Sequence, residues 1–464
     1  LTFLLLTTAQ RPIKGLSTLS SWSVNNKQRV AVIGGGVAGL SCANSLADSG
    51  KFIPTVFDTG RLRPGGRCAS RLPEDIRKQS DPHHYDILSR AIIDHAAQIV
   101  TVPPGCPEFA KQVDEWKDEG ILKRFPEKSV CDIINPFDRE TKQYDKSRVR
   151  LKPMAGDLYY AVNGMQAIPN AMRGNFAIEQ DVWVSPNDGV RLVNRDGGKQ
   201  WEIKAKGDVL GHFDKLVIAH NGKCADRLMS TTPAKDFHRL LQVNFAPYVP
   251  RDGGKRMTLN SLYSLSFAMP LDSVLSNTLP SKTFTCGFIK NHPNLRFISC
   301  NSRKHPLEAI QDVEVWTVLS SAKFGKAHKG PQENLPTELV NEVTGLMYDS
   351  IEEALALPKG SVRGPPDNAP GKGRVMESLL QLWGAAVPVN TWVSTDGADG
   401  FIYDAEYGVG ACGDWLLDAS VAGAWESGRR LAKFMIHGGQ ETMGLSGGFK
   451  ASAAVDKIGI GAFQ

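Results

Sequence analysis

The chain has 464 residues, 41% of them hydrophobic and 22% charged, with a formal net charge of +5. That length suits about two or three ordinary domains with buried cores, and so small and scattered a positive surplus argues against a nucleic-acid partner. No apolar run approaches the roughly 20 residues that a membrane-crossing helix needs.

Residues 1–26 are rich in Ser, Thr and Leu and hold Arg11 and Lys14 but no acid. They read as a remnant of an organelle-targeting segment or a disordered terminus. Arg29 to Ile33 is a short apolar run that predicts a buried parallel strand. Gly34, Gly36 and Gly39 follow it as G-x-G-x-x-G. The first glycine permits the tight turn, the second lets backbone approach a pyrophosphate, and the third lets a helix pack closely on the strand. The helix is expected from Val37, with Ala38 in its first turn, to Ser49, its N–H groups aimed at phosphates. Gly50 fits its stop. Ile53 to Phe57 predicts a second strand ending at Asp58, 19 positions after Gly39. A carboxylate there accepts from an adenosine ribose and repels a 2′-phosphate, which favours FAD or NAD over NADP. Gly65, Gly66 and Arg67 come next, where a guanidinium can meet a pyrophosphate or ribose.

Lys199 to Lys206 alternates as a half-exposed strand with Trp201, Ile203 and Ala205 inward, after turns at Asp188-Gly189 and Asp196 to Gly198. Leu262 to Met269 and Glu314 to Ser320 read as strands of a mixed sheet. Leu335 to Leu355 reads as a helix with Leu339, Val343 and Met347 on its apolar face. Segments 245–256 and 358–374 read as loops. Val409 to Asp414 looks like a short strand ending in Gly413-Asp414, followed by a helix from Val421 to about Phe434. Residues from Gly438 onward read as a loose tail. The eight cysteines form no C-x-x-C, and no His/Cys group has zinc spacing, so they suit free thiols and no metal site is expected.

Several pieces together resemble the renalase-like branch of the FAD-dependent amine oxidase superfamily. They are the unit from Val30 to Arg67, the Ile93-Asp94-His95-Ala96-Ala97-Gln98 segment, Val162-Asn163-Gly164-Met165, the strand from Phe213 to Ala219, Val315 to Ser321, and Cys412-Gly413-Asp414-Trp415 with Val421 to Trp425. The resemblance implies an α/β fold: a Rossmann-type, glutathione-reductase-like FAD-binding domain with an inserted α+β substrate domain. The FAD domain would be discontinuous, over 27–105, 160–245 and 395–440. The substrate domain would use 106–159 and 246–394, leaving 441–464 as tail. FAD would be held non-covalently. Asp94 and Gln98 would lie beside the flavin, Gly164-Met165 would line its ring, a strand near Val182 would pass the adenine, and Asp414 would meet the ribityl chain ahead of the helix starting at Val421. Plant and algal relatives of such proteins tend to carry N-terminal extensions, which favours a plastid address.

The chain also departs from that family. His220-Asn221-Gly222 stands where Thr-Pro is usual after the strand, and Gln381 to Ala386 lacks the arginine expected beside Trp383. No catalytic residue is assigned outright. His95, Gln98 and His220 are candidates, His95 and His220 with packed histidines as the plainer alternative, and Gln98 with a hydrogen bond to backbone near the flavin. Trp383 and Trp425 are candidates for the pocket wall, with core packing as the alternative. Arg303-Lys304-His305 and Lys323 to Lys329 read as solvated faces, with contact to a substrate phosphate as the alternative. His83-His84 reads as loop surface. The implied activity is hydride transfer from an amine or reduced nicotinamide-type substrate to flavin, which O2 or another acceptor reoxidises. Two other readings stay open: a flavin-binding structural or assembly subunit of an organelle complex, and a desaturase or isomerase of an apolar substrate.

Overall fold

A computed structural model describes residues 27–73, 75, 85–134, 137–138, 143–144, 149–195, 197–220, 222–245, 259–332, 334–363, 374–388 and 390–451. The expectations for residues 1–26, for His83-His84 and for most of both loop segments lie outside these.

The chain opens with a strand, Gln28–Ile33, that is the third of six in one sheet. The spatial order is Ala177–Glu179, Phe52–Phe57, Gln28–Ile33, Lys215–Ile218, Val409–Cys412, Phe401–Asp404. The first five run parallel and the last is antiparallel. Parallel strands are covered on both faces, which is why Val30, Ala31 and Val32 are all fully buried. Side chains alternate across the sheet. Val30 and Val32 pack with Leu46, Leu431 and Met435 of two helices, Val37–Asp48 and Val421–Ile436. Ala31 and Ile33 pack on the other side with Trp201, Ile203 and Phe213. Those three belong to an antiparallel sheet of Val190–Arg195, Gly198–Ala205 and Asp208–Phe213. The predicted alternation of Trp201, Ile203 and Ala205 therefore faces this core.

A second, seven-stranded sheet has the order Arg150–Pro153, Val130–Ile134, Cys286–Lys290, Leu295–Cys300, Val313–Ser320, Leu259–Pro270, Glu377–Pro388. All its pairs are antiparallel except Val130–Ile134 with Cys286–Lys290. The helix Thr337–Ala354 covers one face with Val343, Met347 and Ile351 against Tyr263, Phe267 and Trp316. On the other face Phe288, Phe297 and Leu319 meet Ile99, Phe125 and Tyr160. Tyr160 belongs to a three-stranded sheet of Val100–Thr101, Leu158–Ala161 and Leu122–Arg124. That cluster joins the second sheet to the chain segments around the first.

Two expectations change. The strand expected near Val182 is Ala177–Glu179, and Val182 lies just beyond it, its N–H donating to the Asp58 carbonyl at 3.0 Å. The tail is not loose throughout: Gly447–Ala451 pairs antiparallel with Asn390–Ser394. Glycine permits this, because a Cβ on Gly447 would stand 2.3 Å from the Val393 carbonyl oxygen. The backbone groups of an otherwise open strand find partners there.

The crossing of the two helices on the first sheet is set by Gly428. A Cβ there would lie 2.1 Å from the Ala38 oxygen and 3.0 Å from the Cys42 nitrogen. Gly428→Ala is expected to force the helices apart and cost about 1–3 kcal/mol by overpacking, read as a lower thermal midpoint. Gly198→Ala, with nothing within 4 Å of its added Cβ, should leave the midpoint within experimental scatter; equal effects would show that the helix crossing is not the constraint.

Candidate functional site

The glycine turn is built as its spacing predicts, each glycine for a different reason. Gly34 has φ +113°, and its N–H donates to the Phe57 carbonyl at 2.9 Å. A Cβ on Gly34 would come within 3.1–3.2 Å of Ala219 and of the His220 backbone nitrogen. That places half-buried His220 beside the turn. A Cβ on Gly39 would stand 2.0 Å from the Gly34 oxygen, so helix and strand touch there. Gly36 is different. It caps the helix Val37–Asp48 with extended backbone, and an added Cβ would meet nothing within 4 Å. The helix has no side-chain cap and no acid in its first turn. Its free N–H groups and positive dipole end therefore adjoin the open space at Gly36, with Val37 and Ala38 buried in its first turn. Gly65 forms an isolated parallel bridge with Gly36, which brings Gly65-Gly66-Arg67 to the same place.

Asp58 locks this turn. One carboxylate oxygen accepts from Gly35 N–H and the other from Gly60 N–H, both at 2.7 Å. Burial raises its pKa, and those two hydrogen bonds oppose the rise. Each oxygen keeps one further lone pair, which is what a ribose hydroxyl needs.

Arg67 and Asp414 stand 347 positions apart and meet. Two parallel bonds of 2.6 and 2.7 Å join guanidinium and carboxylate, and Arg67 also donates to the Ala386 carbonyl at 2.7 Å. Burial opposes the Arg67 charge, but Asp414 outweighs it and raises the pKa. The two sequence expectations, pyrophosphate for Arg67 and ribityl for Asp414, thus converge on one fork-shaped ion pair. Gly413 N–H donates to Ser427 Oγ at 2.8 Å, and Ser420 Oγ caps the helix that starts at Val421 by accepting from Gly423 N–H.

Asp94 and Gln98 do not stand free. Both are buried. Asp94 Oδ1 accepts from Ser70 Oγ at 2.6 Å and Met165 N–H at 2.8 Å. Its Oδ2 lies 2.8 Å from both Lys304 Nζ and His305 Nε2. Gln98 Nε2 donates to the Asp94 carbonyl, while Oε1 accepts from Lys304 Nζ and Ser299 Oγ. Burial alone would raise the Asp94 pKa; Lys304 and His305 reverse this and hold it far below the usual carboxylate range. Gln98 thus makes the backbone hydrogen bond considered for it from the sequence, on the Asp94 carbonyl, within a buried network.

Arg303-Lys304-His305 is also corrected. It is neither a solvated face nor a phosphate contact. Arg303 pairs with Glu314 at 2.7 Å and lies over the Trp316 ring. Lys304 and His305 have fully buried side chains. The signal was three cations after an apolar strand, but spacing cannot show which carboxylate they meet. Lys323 and Lys326 are exposed, as expected of a solvated face. Gln166 was missed: its Nε2 donates to the Pro64 carbonyl at 2.8 Å, just ahead of Gly65. Arg63 was missed as well, and pairs with buried Asp75.

His95 keeps an open role. It is 7% exposed, its ring stacks on Trp383 at 5.5 Å, and its Nδ1 has no hydrogen-bond partner. Burial, then the nearby Arg71 charge, lowers its pKa from 6.5 to about 4, so the imidazole is neutral at neutral pH. Trp383 Nε1 donates to the His95 carbonyl, whereas Trp425 packs in the core beside Phe109.

Residues 32–102 match a family model described as an NAD(P)-binding Rossmann-like domain. A curated relative, the tRNA 5-methylaminomethyl-2-thiouridine biosynthesis bifunctional protein MnmC of Caulobacter vibrioides, is 25% identical over 43% of this chain and 33% of its own length. The match thus spans about a third of that relative. Among solved structures, a redesigned putrescine oxidase superposes with a TM-score of 0.51 at 13% identity, covering 89% of this chain and 99% of the other. Cyclohexylamine oxidase from Brevibacterium oxydans gives 0.52 at 10% identity, covering 89% and 99%. At such identities the likeness is one of fold: a mixed α/β architecture with a Rossmann-like dinucleotide domain.

Two outcomes follow. Gly36→Val should leave the stripped protein with its normal thermal midpoint yet abolish dinucleotide retention, whereas Gly39→Val should prevent folding; retention by the Gly36 variant would misplace the site. Stability should also fall as pH drops from 6.5 towards 4. The unfolded chain takes up protons there that His95 and His292, both lowered to about 4 chiefly by burial, do not accept when folded. Denaturant midpoints across that range should flatten in His95→Gln, and an unchanged slope would contradict a buried neutral His95.

Proposed function

We propose that the protein is an FAD-dependent oxidoreductase of the renalase-like, amine-oxidase-like kind. It takes a hydride from an amine or a reduced nicotinamide-type substrate. The observation that carries the reading is the convergence of three distant segments on one crevice: the glycine turn with its open space at Gly36, the Gly65-Gly66-Arg67 loop bridged to it, and Asp414 paired with Arg67. A pyrophosphate would meet the free helix N–H groups there, beside a guanidinium whose charge Asp414 offsets. The fold shared with putrescine and cyclohexylamine oxidases supports FAD over a nicotinamide dinucleotide as the resident cofactor.

When bound, FAD supplies the hydride acceptor. The chain's own residues have narrower tasks. Gly34, Gly36 and Gly39 shape the turn, and Val37 and Ala38 present the helix start. Asp58 holds the turn and offers its remaining lone pairs to the ribose. Arg67 and Asp414 place a fixed charge pair at the middle of the crevice. His95, buried, neutral and stacked on Trp383, lines the contact between the Asp94 segment and the second sheet without adding a charge there.

The test is direct. Denaturing the purified protein should release FAD, and the holoprotein should bleach anaerobically with one donor class among NADH, dihydronicotinamide isomers and primary amines. A protein that carries no flavin, bound or covalent, sinks the reading. A bound flavin that no donor reduces turns it into a flavin-binding subunit instead.

A further inference from the structure

The second sheet reaches into the cofactor crevice through a chain of buried bonds. Lys304 sits in the short helix Asn301–Lys304 that follows the strand Leu295–Cys300 of that sheet. Its Nζ meets Asp94 Oδ2 at 2.8 Å and Gln98 Oε1 at 2.7 Å. The opposite oxygen of Asp94 accepts from Met165 N–H and Ser70 Oγ. Ser70 Oγ in turn accepts from Gln166 N–H at 3.0 Å, and Gln166 Nε2 holds the Pro64 carbonyl. The line ends at Gly65-Gly66-Arg67. Gly164, with φ +94°, lets the turn come this close, since a Cβ there would be 2.8 Å from Ser70 Oγ.

Both charged side chains are 0% exposed. Burying an ion pair costs so much desolvation that an apolar pair of equal volume is often as stable. Stability is therefore a weak reason for the pair. Geometry is a better one, because an ammonium fixed from one sheet orients a carboxylate that carries the turn of the other.

We propose that Lys304 is a positioning residue for the cofactor site: through Asp94 it sets the turn at Gly164-Met165 and the Gly65 to Arg67 loop. The inference rests on the FAD reading given above. Lys304 and His305 face the Asp94 carboxylate from the second sheet, Cys68 from the loop before Ser70, and His95 from the adjoining backbone.

Full-length Lys304→Met is compared with Asp94→Asn/Lys304→Met and with the unaltered protein. FAD affinity, the thermal midpoint of the stripped protein, and the bound-flavin absorption between pH 5 and 8 are measured for each. Expected is at least a tenfold loss of FAD affinity in Lys304→Met. Its flavin spectrum should also gain a pH step, because burial raises the Asp94 pKa once the ammonium that lowers it most is gone. The double variant should lose the step. The unaltered protein should show none. An unchanged affinity and a flat spectrum in Lys304→Met would overturn the inference. So would a loss of affinity without a pH step, which is what a merely structural role produces. If Lys304→Met does not fold, His305→Gln and the double variant carry the affinity comparison, with normal affinity in both overturning the inference. Absence of flavin from the unaltered protein would instead remove the FAD reading itself.

Discussion

The buried carboxylate of Asp94 is the constraint on which the two halves of the molecule depend. It comes from the short strand Ile93–Asp94, beside Ser70–Arg71, and its two cationic partners come from 210 and 211 positions further along the chain. A charge with no solvent must find all its partners in the protein, or the fold carries the full desolvation penalty. Lys304, His305, Ser70 and the Met165 N–H together satisfy it. Hydrophobic contact between the sheets, through Phe288, Phe297, Ile99 and Tyr160, supplies adhesion without direction. The ionic contact supplies direction.

A second constraint operates at the glycine turn, and it uses backbone rather than charge. Gly34 and Gly39 are needed because their surroundings are already full; Gly36 leaves its surroundings empty. Asp58 closes the turn by accepting two N–H groups. The site is thus preorganised on strands and a helix end, which is the arrangement that holds a ligand with little reordering cost. Arg67 and Asp414 carry the same logic to the loop bridged to the turn. Their charges neutralise one another, so the crevice presents a dipole rather than a bare cation.

The chemistry that remains free is small. Gln98 is spent in the network, and His220 flanks the turn. Of the three candidate side chains, His95 combines burial with neutrality, and its stacking on Trp383 ties it to the strand Glu377–Pro388 of the second sheet. His95 therefore lies where the second sheet meets the Asp94 segment.

Local pattern was enough for the dinucleotide unit. Strand, glycines, helix and Asp58 lie within one continuous stretch, and each is dictated by contacts between near neighbours. The alternation around Trp201 and the helix at Thr337–Ala354 were legible for the same reason, since burial on one face imposes its period on the sequence. The roles of Lys304, His305 and Gln166 were not legible, nor was the pairing of Gly447–Ala451 with Asn390–Ser394. Those depend on groups 53 to 211 positions apart. A cation in a sequence looks the same whether water or a carboxylate solvates it. Only the packing of one sheet against the other decides which, because only packing removes the water.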